Sequence, residues 1–253
     1  MKDDEVCLRL GLPNLKELKR ILCKQTHNIC TLHKNRMSYD SEHQVVWLPN
    51  PTNSYLFKNI QKVDKKGIKE ISSIFTHKAK GWKVILSLEN PRKYEDQDLV
   101  KCKETKIPSN QDLEDLERGH LLADLFSKAI IINHSIPKSN GTYTSFFSKK
   151  NSENIILEFK RTNEGTNGCY TQQYFEIKLN NWLKMNDFVY YEIQAIYARQ
   201  FDVIPIGIRM LGYSASNPKK LFHVFVPNYS RRSVKNYSRR DYRDVFQGLD
   251  KKV

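Results

Sequence analysis

A chain of 253 residues with 39% apolar and 28% charged residues is neither a disordered tail nor a fibrous repeat, and it is long enough to bury a full core. A net charge of +14 predicts a polyanionic partner, namely DNA, RNA or an anionic membrane surface, and by itself implies no chemistry. The longest apolar runs, such as Ala129 to Ile132, are too short to span a membrane, and five cysteines without framework spacing predict reduced thiols rather than a disulfide scaffold.

The start, Met1-Lys2-Asp3-Asp4-Glu5, is acidic and lacks an apolar h-region. The expected location is the cytoplasm, or outside the cell by a leaderless route. Residues 1–44 read as a mostly helical lead-in. Leu15, Leu18, Ile21 and Leu22 recur at helical spacing, and Asn14 is placed to cap that helix. Cys23, His27, Cys30 and His33 follow closely. Their spacing, C-x3-H-x2-C-x2-H, matches no common zinc finger, so packed cysteines and solvated histidines are the simpler reading.

Residues 45–229 read as the main domain. Val45-Val46-Trp47-Leu48 predicts a strand stopped by Pro49-Asn50-Pro51, and Gly81 to Leu86 predicts another. Between them Lys62, Lys65, Lys66, Lys69, Lys78, Lys80 and Lys83, with Trp82 among them, form a basic stretch expected to contact nucleic acid. Residues 154–185 read as helical, on the strength of Phe175, Leu179, Trp182 and Leu183 at i, i+4, i+7 and i+8. Phe188 to Tyr197, Val203 to Tyr213 and Leu221 to Val226 predict an antiparallel meander, with Pro205 placing the second strand after it or at an edge. Residues 230–253 carry eight Lys or Arg and three Asp around Tyr237 and Tyr242, and read as a basic tail.

The chemistry gathers around Glu117-Arg118-Gly119-His120-Leu121-Leu122-Ala123-Asp124. Phosphodiester hydrolysis needs a base for the attacking water, neutralised phosphate charge and help for the leaving oxygen. His120 supplies a base near neutral pH. Mg²⁺ keeps much of its water, so one amide oxygen, that of Asn154, suffices as a direct protein ligand. A carboxylate, Glu176, can orient the metal-bound water, and Arg118 can engage the phosphate through its planar donors.

This octet resembles the D-R-G-H motif of the DNA/RNA non-specific endonucleases with a ββα-metal site, notably the Gram-positive branch with streptococcal secreted DNases and the membrane DNA-entry nuclease. The likeness rests on five ordered segments: Arg118 to Leu122, Asn151 to Ile155, Gln172 to Glu176, Ile204-Pro205 and Val226-Pro227-Asn228. It spans roughly residues 80–228. The resemblance implies an α+β fold, with a central antiparallel sheet and a ββα-metal finger. It implies His120 as general base, Asn154 as Mg²⁺ ligand (with Mn²⁺ as substitute), Glu176 on metal-bound water and Arg118 near the phosphate. DNA, and RNA beside it, is the implied partner.

The chain departs from the family in places. Glu117 stands where the motif has Asp, Ala123-Asp124 follow where a glycine is frequent, and Glu158 and Arg161 lie in a segment where relatives carry Gln-Thr. Two other readings follow from these departures. One is a nucleic-acid-binding protein with a decayed site. The other is a nuclease toxin of bacterial competition, held in check by an inhibitor protein.

Overall fold

The computed structural model describes residues 6–7, 9–26, 37–66, 69–70, 81–88, 99–101, 116–130, 143–147, 153–165, 168–185, 187–199, 202 and 204–229. His27, Cys30, His33 and the 230–253 tail lie outside them. Helix α1 (Leu15–Gln25) begins where Asn14 caps it, the Asn14 side chain accepting from the Glu17 amide at 3.1 Å. Leu18, Ile21 and Leu22 are its buried face, as their spacing predicts.

A seven-stranded antiparallel sheet forms the centre, in the order β1 (Ser38–Asp40), β2 (Val45–Trp47), β11 (Leu221–Pro227), β10 (Gly207–Ser214), β9 (Val189–Ile196), β4 (Trp82–Leu86) and β3 (Lys69–Glu70). Strands β9, β10 and β11 are the expected meander, and β10 begins two residues after Pro205, which has no N–H to give a ladder. Two small antiparallel pairs stand apart from it: β5 (Leu99–Lys101) with β7 (Tyr143–Ser145), and β6 (Leu116–His120) with β8 (Ile155–Phe159).

Every residue of β9 is buried, because both faces of the sheet are covered. On one face Tyr191, Ile193 and Ala195 pack with Phe146, Leu122 and the helix α4 (Gln172–Leu183) through Phe175, Leu179 and Trp182. On the other, Ile196 meets α1 through Leu18, Ile21 and Leu22, while Tyr190 meets Leu56 of α2 (Asn53–Lys66). The lead-in therefore contributes to the sheet's own core, and the Gln25 side chain donates to the Tyr197 carbonyl while accepting from the Tyr197 amide.

The expectation of one helical stretch over 154–185 is corrected. Residues Ile155–Phe159 form β8, the short helix α3 follows at Lys160–Asn163, and α4 starts only at Gln172. The run Ile-Ile-Leu-Glu-Phe is rich in β-branched and aromatic side chains and is buried throughout, so it lacks the alternation that marks a half-exposed strand.

The basic stretch is corrected in part. Trp82 is buried, its ring 5.0 Å edge-on from Phe146. The Lys83 amine donates to Tyr55 Oη at 3.0 Å and Asn59 Oδ1 at 2.8 Å, and stands 3.7 Å from Glu192. Both belong to the protein interior rather than to a nucleic-acid contact. Lys62 is exposed, while Lys78 and Lys80 lie outside the described residues.

Candidate active site

The site is built on the β6–β8 pair. In its register Glu117 faces Glu158, Arg118 faces Leu157, Gly119 faces Ile156 and His120 faces Ile155. Residues two apart on a strand share a face, so Arg118 and His120 project together, and Glu117 shares the other face with Gly119 and Glu158. Gly119 is required by a close approach. A Cβ there would stand 1.3 Å from Glu158 Oε1 and 2.8 Å from Glu158 Cγ. The Glu158 side chain thus lies across the glycine, in the space that a side chain would fill.

Asn154 ends the pair. Its backbone carbonyl accepts from Leu121 N at 2.7 Å. Its side chain then clasps the next peptide, Oδ1 accepting from Leu122 N at 2.8 Å and Nδ2 donating to Leu122 O at 3.0 Å. This amide is wholly buried and fixes the direction of the chain directly after His120.

His120 is half-buried, and its Nε2 lies 2.6 Å from the Phe147 carbonyl oxygen. A carbonyl can only accept, so Nε2 carries the proton and the neutral ring has its basic lone pair on Nδ1. Gln172, in the first turn of α4, reaches back to the same segment. Its Nε2 donates to His120 O at 2.6 Å, is 3.2 Å from Leu121 O, and donates to Glu176 Oε1 at 2.8 Å. One amide therefore ties the histidine's backbone to the carboxylate one helical turn on.

Glu176 is 5% exposed, and burial pushes its carboxyl up to about 8 against the opposing pull of the Gln172 hydrogen bond. Glu158 is fully buried, and neither of its carboxylate oxygens has a hydrogen-bond partner. Burial, then the neighbouring Glu176 and Glu117, push its carboxyl well above the usual carboxylate range. The Tyr191 hydroxyl, also buried without a partner, is pushed up by burial and by the same two carboxylates, Glu176 and Glu158.

These carboxyls give the fold a definite pH dependence. Glu158 and Glu176 ionise less readily in the folded chain than in the unfolded one. Their contribution to stability is therefore complete below the ordinary carboxylate range and is lost as pH rises toward about 8, where Glu176 ionises. The expected result is a melting temperature that falls between about pH 5 and pH 9, with a shallower fall in Glu158→Gln. An unchanged slope in that variant would show that Glu158 does not titrate in this window.

A divalent cation is what the resemblance of the octet to the ββα-metal endonucleases implies here, and oxygen donors are at hand. The atoms at hand are hard oxygens, from Asn154, Glu176 and the unpartnered Glu158, Glu117 Oε1 and Gln172 Oε1. Among the described residues no three His, Cys, Asp or Glu side chains form a cage.

The structure brings His120, Asn154 and Glu176 to one place through Gln172 and Leu122, and it puts Arg118 on the His120 face of β6. Sequence reasoning assigned no role to Gln172, although its i, i+4 spacing to Glu176 on a helix was a usable signal. It also missed the Phe147 carbonyl, a backbone group that no motif can report.

The fold so defined is shared with two solved structures of one protein. NucA from Streptococcus agalactiae with no metal bound aligns at a TM-score of 0.57 and 16% identity, over 88% of this chain and 94% of its own. The same protein with magnesium ion bound aligns at 0.56 and 15% identity, over 88% and 92%. The Sda1 nuclease with bound zinc ion aligns at 0.37 and 15% identity, over 65% and 76%. No protein-family model and no curated protein matches the chain. The class is thus the α+β fold of NucA, seen here at low sequence identity. No helix among the described residues is long and apolar enough to cross a membrane.

Proposed function

We propose that this protein is a Mg²⁺-dependent, sequence-nonspecific endonuclease that hydrolyses phosphodiester bonds in DNA, with RNA as a second substrate. One observation carries the reading. His120 Nε2 lies 2.6 Å from the Phe147 carbonyl, which supports Nδ1 as the basic nitrogen, and the Gln172 amide ties that histidine's backbone to a buried carboxylate.

In this account Nδ1 of His120 takes a proton from the attacking water as its oxygen bonds to phosphorus. The bond from phosphorus to the departing sugar oxygen breaks, and that oxygen gains a proton from solvent. Arg118, on the same strand face as His120, contacts the non-bridging phosphate oxygens through its planar donors. Asn154 Oδ1 would hold the cation with its remaining lone pair, and Glu176 would orient water bound to it. When bound, Mg²⁺ supplies charge that neutralises the phosphate and the departing oxygen.

Contacts to phosphate carry no base information, so cleavage without sequence preference follows. Because a chain of net charge +14 binds by releasing counterions, cleavage is expected to weaken steeply with salt. The test is cleavage of end-labelled DNA and RNA across Mg²⁺, Mn²⁺ and NaCl series. Metal-dependent products spread over all sequences, with loss of rate at high salt, support the reading. Intact substrate at every metal concentration overturns it.

The unpartnered, buried Glu158 beside Gly119 favours one alternative, a protein that binds nucleic acid without cutting it. Binding without cleavage in the same series would select that reading.

A further inference from the structure

Three aromatic rings form a ladder that ends on the first turn of α4. His43 stacks on Tyr170 with centroids 3.9 Å apart and planes 16° apart, and Tyr170 stacks on Tyr174 at 4.1 Å and 10°. The ladder is braced from the side. Trp47 stands edge-on to Tyr170 at 87°, and Phe175 stands edge-on to Tyr170 at 79° and to Tyr174 at 89°. The rings are therefore held in place before any ligand arrives, and Tyr174, at one end, remains 38% exposed.

The two ends differ in charge. At the His43 end the Asp40 carboxylate lies 2.8 Å from His43 Nδ1, so an acidic group stands there. At the other end Lys178 follows Tyr174 by one helical turn, with its amine 6.0 Å from the Phe222 ring centroid. Tyr174 and Lys178 lie on the side of α4 away from the buried Gln172 and Glu176. An exposed ring on a rigid stack, with a cation one turn away, is the arrangement that binds an unpaired base and its phosphate.

We infer that Tyr174 is a base-stacking site, on which an unpaired nucleobase of the substrate adds a fourth ring to the ladder. The inference rests on the proposed nuclease function and extends it to a preference for single-stranded or locally opened nucleic acid. In a closed duplex both faces of each base are already covered.

The test uses the full chain with EDTA present, so that nothing is cut. The probes are a short fluorescein-labelled single-stranded DNA and the same oligomer with abasic sugars throughout, compared by anisotropy at one ionic strength. The wild type is expected to bind the base-containing oligomer more tightly than the abasic one. Tyr174→Ala is expected to weaken binding of the base-containing oligomer by at least about fivefold and to leave the abasic one unchanged. Tyr174→Phe, which keeps the ring, is expected to bind as the wild type does. Equal binding of both oligomers by the wild type overturns the stacking site while leaving the nucleic-acid reading in place. So does an equal loss on both oligomers in Tyr174→Ala. Failure of the wild type to bind either oligomer overturns both readings.

Discussion

His120→Ala is expected to lower metal-dependent cleavage by roughly 10²- to 10⁴-fold, the usual contribution of a positioned general base. The ring is half-buried and its Nε2 bonds to Phe147 O, so the substitution leaves the apolar core intact. Loss of that hydrogen bond costs about 1 kcal/mol, too little to unfold a domain of this size. A decrease in rate with the melting temperature nearly unchanged would place the effect in the chemistry. Added imidazole then gives a sharper test. The truncation leaves a ring-sized space at the end of β6, and free imidazole can occupy it and accept the proton from water. Partial rescue that follows the concentration of neutral imidazole is the expected result. A variant that cuts at the wild-type rate would remove His120 from the mechanism.

The second large effect lies on the opposite face of the sheet. Glu192 in β9 is fully buried and carries a network: Oε2 accepts from Arg209 Nη1 at 2.6 Å, and Oε1 accepts from Tyr190 Oη at 2.5 Å and Tyr55 Oη at 2.7 Å. Arg209 Nε donates to His223 Nε2 at 2.9 Å, so His223 bears its proton on Nδ1 and donates it to Pro49 O at 2.6 Å. Burial, reinforced by the Arg209 charge, pushes the His223 ring down to about 3, so it stays neutral. For Glu192, the Arg209 and Lys83 charges outweigh burial and hold the carboxyl down at about 2.

Arg209→Ala would strand the Glu192 charge in the core. Breaking such a pair by removing one member costs about 3–5 kcal/mol, which lowers the melting temperature of a chain this long by on the order of 10 °C. Replacing Arg209 and Glu192 together with apolar residues of similar volume should recover much of the loss, since the unpaired charge is what destabilises. A single variant that melts within about 2 °C of the wild type would show that water reaches Glu192 and that the network contributes little. Because Glu192 ionises and His223 stays neutral in the fold, stability from both is present above their unfolded values and is lost in acid. For His223 the loss begins below its ordinary value and ends near 3, and for Glu192 it ends near 2.

What could be read in the sequence was what local spacing encodes. Asn14 and the apolar positions of α1 were legible because a cap and a 3.6-residue period lie within one helix. Arg118 and His120 stood out through the motif, while the strand β6 that sets them on one face was not read in the sequence. The meander was legible from three runs of β-branched and aromatic residues separated by turns. The strand at Ile155–Phe159 was not, because a segment buried on both faces loses its alternation, and the strong period of α4 drew the helix reading back across it. Lys83 was misread for a different reason. Its partner Glu192 lies far away in sequence, and only the β4–β9 register sets them opposite one another. The same holds for Glu158, whose position over Gly119 depends on the register of β6 with β8. The motif singles out His120 and Asn154. The groups that set their state, Phe147 O and Gln172 Nε2, come from folding alone.

The measurement that tests the central claim most directly is the nicking of supercoiled plasmid by purified wild type and His120→Ala, in Mg²⁺ and in EDTA. The account predicts nicked and then linear DNA from the wild type in Mg²⁺, none in EDTA, and almost none from a folded variant in either. Cleavage that persists in EDTA, or that the variant performs as well as the wild type, would contradict it.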